Sequence, residues 1–268
     1  MSEEQVTSKD GTPIVFDRFG TGRTVILVAG ALQGRTTYRS LAERLAERFT
    51  VVNYDRRGRG DSGDTAPYAV EREIEDLDAL ISASGGAASV YGHSSGAGLV
   101  LHAAERGLRI DRFVLHEPPF GPDTPEQRQF EEEQGEEIRM LLTQDRRSEA
   151  IETFLSQTGL PEEVIAHVSQ DPAMIANAPT LAYDPFEVMS PRSRAGLTPA
   201  EQARGVSIPG LVLTGGETLD WMVDAGREIA SALANGRHQS LEGQGHVVPD
   251  EILAPALTEF FAESTNDH

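Results

Sequence analysis

The sequence predicts an α/β fold: a doubly wound, mostly parallel sheet interrupted by a helical cap. Three observations predict it. Nearly all-apolar runs such as "TVILVAG" (24–30) read as strands buried on both faces. They alternate with amphipathic stretches at helical spacing, as parallel strands joined by right-handed crossovers require. One acidic, proline-punctuated stretch then breaks the alternation. The expected core is therefore residues 1–118 and 205–268, with residues 119–204 as the cap.

The elements follow in order. "PIVFDRFG" and "TVILVAG", separated by the turn signal "GTGR", read as an edge hairpin. "TTYRSLAERLAERF" spaces Leu41, Leu45 and Phe49 as a helix, and "TVVNYD" (50–55) is the next buried strand. "VEREIEDLDALISASG" places Val70, Ile74, Leu77 and Ile81 on one helical face, with Gly85 near its end. "ASVYG" is a strand, "SGAGLVLHAAERG" a helix and "RFVLHE" (112–117) a strand. In the cap, "PEQRQFEEEQGEEIRMLLTQ", "RSEAIETFLSQTG" and "PEEVIAHVSQD" are helical patterns. "IPGLVLTGG" (208–216) resumes the strands, "MVDAGREIASALANG" is a helix, "RHQSLEGQGH" a last strand and loop, and "EILAPALTEFFAE" a closing helix.

Composition narrows the function classes. The 268 residues carry a formal charge of −20, which repels phosphate backbones and anionic lipid, so no nucleic acid and no membrane partner is expected. No apolar stretch approaches the ~18 residues of a membrane span. "MSEEQVTSKDG" has neither a basic n-region nor an apolar h-region, so a cytoplasmic protein, monomer or homodimer, is expected. Cysteine is absent, which removes disulfides, thiolate metal sites and a cysteine nucleophile. Lys9 is the sole lysine, which disfavours Schiff-base chemistry. No cofactor and no metal is expected.

One short stretch carries chemistry. Gly92-His93-Ser94-Ser95-Gly96 fits the G-x-S-x-G nucleophile elbow, with a strand pattern before it and a helix pattern after it. The glycine frame selects Ser94, because shifting it by one would put His93 and Ala97 where glycines are needed. Ser95 then offers its backbone N–H, at a helix N-terminus, to a developing oxyanion. The second donor is expected in "AGALQG", from Ala31 with Leu32 as fallback. A serine hydroxyl needs a base, and "EGQGHVVP" supplies His246 in the loop between the last strand and the last helix. The other histidines, His93, His102, His116, His167, His238 and His268, read mainly as packing or surface residues.

Taken together, "TVILVAG", "VNYDRRGRGDS", "VYGHSSGAG", "LVLTGGE" and "GQGHVV" resemble the α/β-hydrolase family over nearly the whole chain outside the cap. "DRRGRGDS" is similar to the family's D-x-R-G-x-G-x-S turn, which makes Asp55, Arg57, Gly58, Gly60 and Ser62 structural. The resemblance implies an acid about three residues beyond the glycine that closes the next-to-last strand, where Thr218 stands, flanked by Glu217 and Asp220. Glu117 is the competing acid. "YGHSSGAG…LHEPP" is similar to segments of zearalenone-type lactonases, whose acid is a Glu in an equivalent "HE-x-P" stretch. Glu117 thus leads, with Asp220 the alternative; a bare anchoring role for Glu117 is the bland reading.

The cap is expected to cover the elbow and shape a substrate pocket, with Leu32, His93, Phe120, Tyr183, Phe186, Trp221 and Val247 as candidate liners. The expected function is a cofactor-free serine hydrolase acting on a neutral small-molecule ester or lactone. C–C hydrolysis or perhydrolysis by the same triad, or a non-hydrolytic cyclase or binder on the same scaffold, are the alternatives.

Overall fold

The apolar runs become the inner strands of an eight-stranded sheet in the computed structural model, which describes residues 2–190, 192 and 195–263. The strands are β1 (Ser2–Thr7), β2 (Pro13–Phe19), β3 (Thr24–Val28), β4 (Thr50–Tyr54), β5 (Ala88–His93), β6 (Ile110–His116), β7 (Gly210–Gly215) and β8 (Gly236–Leu241). Their order is β1-β2-β4-β3-β5-β6-β7-β8. The β1–β2 and β2–β4 pairs are antiparallel, and all the others are parallel. His268 lies outside the described residues.

The expected hairpin between residues 13–20 and 24–30 does not form. β2 pairs with β1 and β4, while β3 lies between β4 and β5. A strand as apolar as β3 needs neighbours on both edges, and the connecting turn carries the chain across the sheet. Gly20, at φ 64°, sits so close to the segment leading into β4 that a Cβ there would lie 2.3 Å from the Phe49 carbonyl oxygen. β1 escaped the sequence reading because "SEEQVT" is polar, and it forms an exposed edge strand.

Alternation along the strands feeds two cores. Val25 and Leu27 pack with Leu41 and Leu45 of α1 (Arg39–Leu45) and with Leu257 and Phe261 of α10 (Asp250–Ala262). Ile26 and Val28 belong to the opposite cluster, with α2 (Val70–Ala83), α3 (Ser95–Glu105) and Ile229 of α9 (Asp220–Ala232). The C-terminal edge of the sheet is level where it matters. His93 of β5 is in register with His116 of β6, so the next residue of each strand, Ser94 and Glu117, leaves the sheet at the same height.

Between β6 and β7 lie α4 (Pro125–Thr143), α5 (Arg147–Leu155), α6 (Glu162–Val168), α7 (Pro172–Asn177), a 3₁₀ turn (Ala178–Ala182), a π-helical turn (Asp184–Val188) and α8 (Pro199–Arg204). Caps explain several starts: Thr124 accepts the Gln127 N–H ahead of Pro125, and Thr198 and Glu201 form a capping box. Ile138, Leu141, Ile151, Phe154 and Leu181 give this segment its own apolar cluster. It is also sewn into the main core, which contains Phe120, Val188 and Ala203. Asp184 is fully buried against the guanidinium groups of Arg56 and Arg59, and Arg56 pairs side-on with Glu73 of α2 at 2.7 and 2.8 Å. Among the described residues no helix is long and apolar enough to cross a membrane.

Candidate active site

The turn from β5 into α3 holds Ser94 at φ 52° and ψ −122°, a strained conformation for a residue with a side chain. Crowding explains the glycines on either side. A Cβ on Gly92 would lie 2.4 Å from the Gly96 carbonyl oxygen, and one on Gly96 would lie 2.3 Å from that of Val28. The turn is anchored by the Ser94 N–H, which donates to the His116 carbonyl at 2.9 Å. Ser95 is the first residue of α3, where an N–H has no intrahelical acceptor. Its hydroxyl accepts from Arg56 Nη1 at 2.7 Å, and the same nitrogen reaches the Ala29 carbonyl at 3.2 Å.

Glu117 also has positive φ, 55°, and is 0% exposed. Its carboxylate is surrounded by donors. Oε1 accepts the Gly215 N–H at 2.6 Å, and Oε2 accepts the Thr218 hydroxyl at 2.7 Å and lies 3.1 Å from His246 Nδ1. Thr218, at the position where the resemblance implies an acid, is thus a hydrogen-bond donor to a carboxylate delivered from the neighbouring strand. Asp220 is exposed at the start of α9 and borders a separate cavity of about 630 Å³. Glu217 is exposed as well.

A chain of polar contacts links the loop after β3 to the loop bearing His246. Gly30 donates its N–H to Gln33 Oε1 at 3.2 Å, and the Tyr38 hydroxyl lies 2.7 Å from both Gln33 Oε1 and His93 Nδ1. His93 Nε2 lies 3.0 Å from the His246 carbonyl oxygen, which can only accept, so this nitrogen carries the proton. Burial, together with the neighbouring His246, pushes the His93 pKa down to about 3, so the ring is neutral. The His93 ring centroid lies 4.9 Å from that of His246 and 4.9 Å from that of His116, which is likewise buried and held neutral. A Cβ on Gly30 would come within 3.4 Å of Ser94 Cβ, so this loop abuts the elbow, with Ala31 half-buried and Leu32 in a left-handed turn at φ 63°. No local pattern could have exposed the Arg56–Ser95 or Tyr38–His93 contacts, whose partners stand 39 and 55 positions apart.

Ser94 and His246 open on one cavity of about 390 Å³. Trp221 is one of its walls, with Phe130, Phe154 and Met189. The other expected liners lie elsewhere. Leu32 is 2% exposed, packs in the cap cluster and gives its carbonyl to Asn177. His93 is buried behind the elbow. Phe120 fills the main core against Gly98 and His102. Tyr183 stacks on Tyr68 at 3.9 Å and donates to Asp64, and Phe186 covers Gly135 beneath the Arg139 guanidinium. Val247 is 64% exposed and does not line the cavity. Leu32, Phe120 and Tyr183 join the cap to the core, whereas much of the cavity wall comes from α4, the end of α5 and the start of α9. The "DRRGRGDS" turn is internally braced: Asp55 accepts the N–H groups of Arg35 at 2.7 Å and Asp61 at 3.0 Å, and Ser62 donates to the Asp55 carbonyl at 2.6 Å.

Comparison with known proteins agrees with this architecture. The chain is 30% identical over 254 residues to a putative carbamate hydrolase, RutD, of Caulobacter segnis, covering 89% of this chain and 91% of that protein. It is 36% identical over 108 residues to N-formylmaleamate deformylase of Pseudomonas putida, a match spanning only 38% of this chain and 40% of that protein. The crystal structure of an alpha/beta hydrolase from Sphaerobacter thermophilus is 45% identical and superimposes with a TM-score of 0.86, covering 97% of this chain and 100% of that one. The model of the alpha/beta hydrolase family matches residues 25–257, and the chain belongs to that family.

Proposed function

We propose that this hydrolase-family protein is a cofactor-free serine hydrolase that cleaves a carboxylic ester or lactone, with Ser94 as nucleophile, His246 as base and Glu117 as the acid of the triad. The observation that carries the reading is the 3.1 Å contact between His246 Nδ1 and the buried Glu117 carboxylate, with His246 and Ser94 facing the same cavity. Glu117 holds the imidazole with Nδ1 protonated, which leaves Nε2 to take the Ser94 proton as Oγ attacks the carbonyl carbon. The tetrahedral oxyanion receives the Ser95 N–H and an N–H from the 31–32 loop, Ala31 or Leu32. The intermediate collapses, the alkoxide leaves with the proton from His246, and the acyl-serine remains. Water, deprotonated by His246, then releases the acid and restores Ser94.

A second reading keeps this machinery and changes the bond. The relatives named for a carbamate hydrolase and a deformylase favour cleavage of a C–N acyl bond. One set of assays separates these readings. A fluorophosphonate probe is expected to label the wild type and not Ser94→Ala, and the wild-type enzyme, free of probe, is expected to turn over p-nitrophenyl acetate or simple lactones faster than N-formyl and carbamate analogues. Loss of Ser94-dependent labelling overturns the serine mechanism; the reverse preference moves the substrate to the C–N class.

A further inference from the structure

We propose that the cavity over Ser94 selects substrates carrying a cationic ammonium group, with Glu131 as the specificity-determining residue. This rests on the hydrolase reading above and names its substrate class. Among the described residues lining the cavity none is Lys or Arg, while Glu131 of α4 brings a carboxylate into it. One oxygen of that carboxylate, Oε1, accepts from Gln127 Nε2 at 2.9 Å and lies against Gly121; among the described residues Glu131 has no ion-pair partner. Arg128, whose charge acts on Glu131, is engaged with Asp123, which also holds Arg192 at 2.7 Å. Burial holds the Glu131 carboxyl above its ordinary value, as befits a half-buried acid without a positive partner. An ammonium group entering the cavity supplies that partner.

The other walls suit the same guest. Phe130, Phe154 and Trp221 present aromatic rings, whose faces attract a weakly hydrated cation, and Met189 adds a polarisable surface. A substrate carboxylate would instead meet Glu131 with no Lys or Arg in the described lining to offset it. The formal charge of −20 acts in the same direction at long range, concentrating cations at the surface.

The test compares an ester bearing a trimethylammonium group with its uncharged carbon isostere, so that shape is constant and only charge differs. One pair places the cation on the alcohol side, acetylcholine against 3,3-dimethylbutyl acetate. The other places it on the acyl side, a phenyl betaine ester against phenyl 3,3-dimethylbutanoate. In at least one pair the wild type is expected to favour the cationic member by about tenfold or more in kcat/KM, the scale of one desolvated charge contact. Glu131→Gln keeps an acceptor for Gln127 and removes the charge, and it is expected to bring that ratio to within about twofold of one. Equal rates in both wild-type pairs, or a preference that survives Glu131→Gln with an unchanged melting temperature, overturn the proposal. Failure of Ser94-dependent fluorophosphonate labelling is a different result, because it removes the hydrolase reading itself.

Discussion

At the scale of single residues, the most informative side chain is Glu117. Its carboxylate meets the Gly215 N–H, the Thr218 hydroxyl and His246, the three contacts on which its proposed role as the acid rests. Glu117→Gln is expected to lower kcat for p-nitrophenyl acetate by about 10³–10⁴-fold with a small change in KM, because the amide cannot enforce the same tautomer or steady the imidazolium. Asp220→Asn is expected to stay within about twofold of wild type, since that residue is exposed on the far side of Trp221. Steady-state kinetics on the two variants check both statements, and the reverse order would transfer the acid's role. How far the residues were legible follows from how local their signals are. Ser94 is framed by glycines two positions away on either side, and those glycines are there because a Cβ would strike backbone. Glu117 was one of two options, because its partners come from β7 and the loop beyond, about a hundred positions later. The aromatic residues of the cap diverge for a related reason: spacing marks Phe120, Tyr183 and Phe186 as residues that pack, and says nothing of which surface they pack against.

At the scale of elements, the helices and inner strands could be read from period and apolar content, and the edges could not. β3, α2 and α3 fall where the patterns put them, whereas β1 is a polar edge strand and the expected hairpin gave way to crossed pairing. The short α7 and the turns that follow it carry too few residues for a period to emerge. Those turns nonetheless fasten the cap. Asp184 lies at the start of the π-helical turn, and its carboxylate is the shared counter-charge of Arg56 and Arg59, with all three side chains 0% exposed. Asp184→Asn leaves buried guanidinium charge short of its partner and is expected to cost about 3–5 kcal/mol. Chemical denaturation followed by circular dichroism reads this as a lower midpoint; an unchanged midpoint would show that Glu73 alone balances the pair of arginines.

For the molecule as a whole, acid is the expected weakness. Burial lowers the pKa of His93, His102 and His116 in the folded state. As pH falls below the ordinary histidine value of about 6.5, the unfolded chain binds protons that the folded chain refuses, so stability declines. The decline continues toward about 3, the folded value of His93. Glu73 and Asp184, held below their ordinary values by Arg56 and Arg59 despite burial, add to the loss in the same direction once pH enters the carboxylate range. Thermal unfolding between about pH 8 and pH 5 is expected to show a melting temperature that drops steadily below about pH 6.5; a flat profile would contradict the burial of these rings. The level register of β5 and β6 has a consequence of a different kind. If Glu117 is the acid, as proposed, that charge comes from a strand end, the segment 216–221 is released from carrying it, and the wall this segment provides through Trp221 can be remodelled without relocating the charge. Chemistry and selectivity are thereby lodged in separate pieces of chain, an arrangement that lets a lineage, or an engineer, change what is cleaved while keeping how.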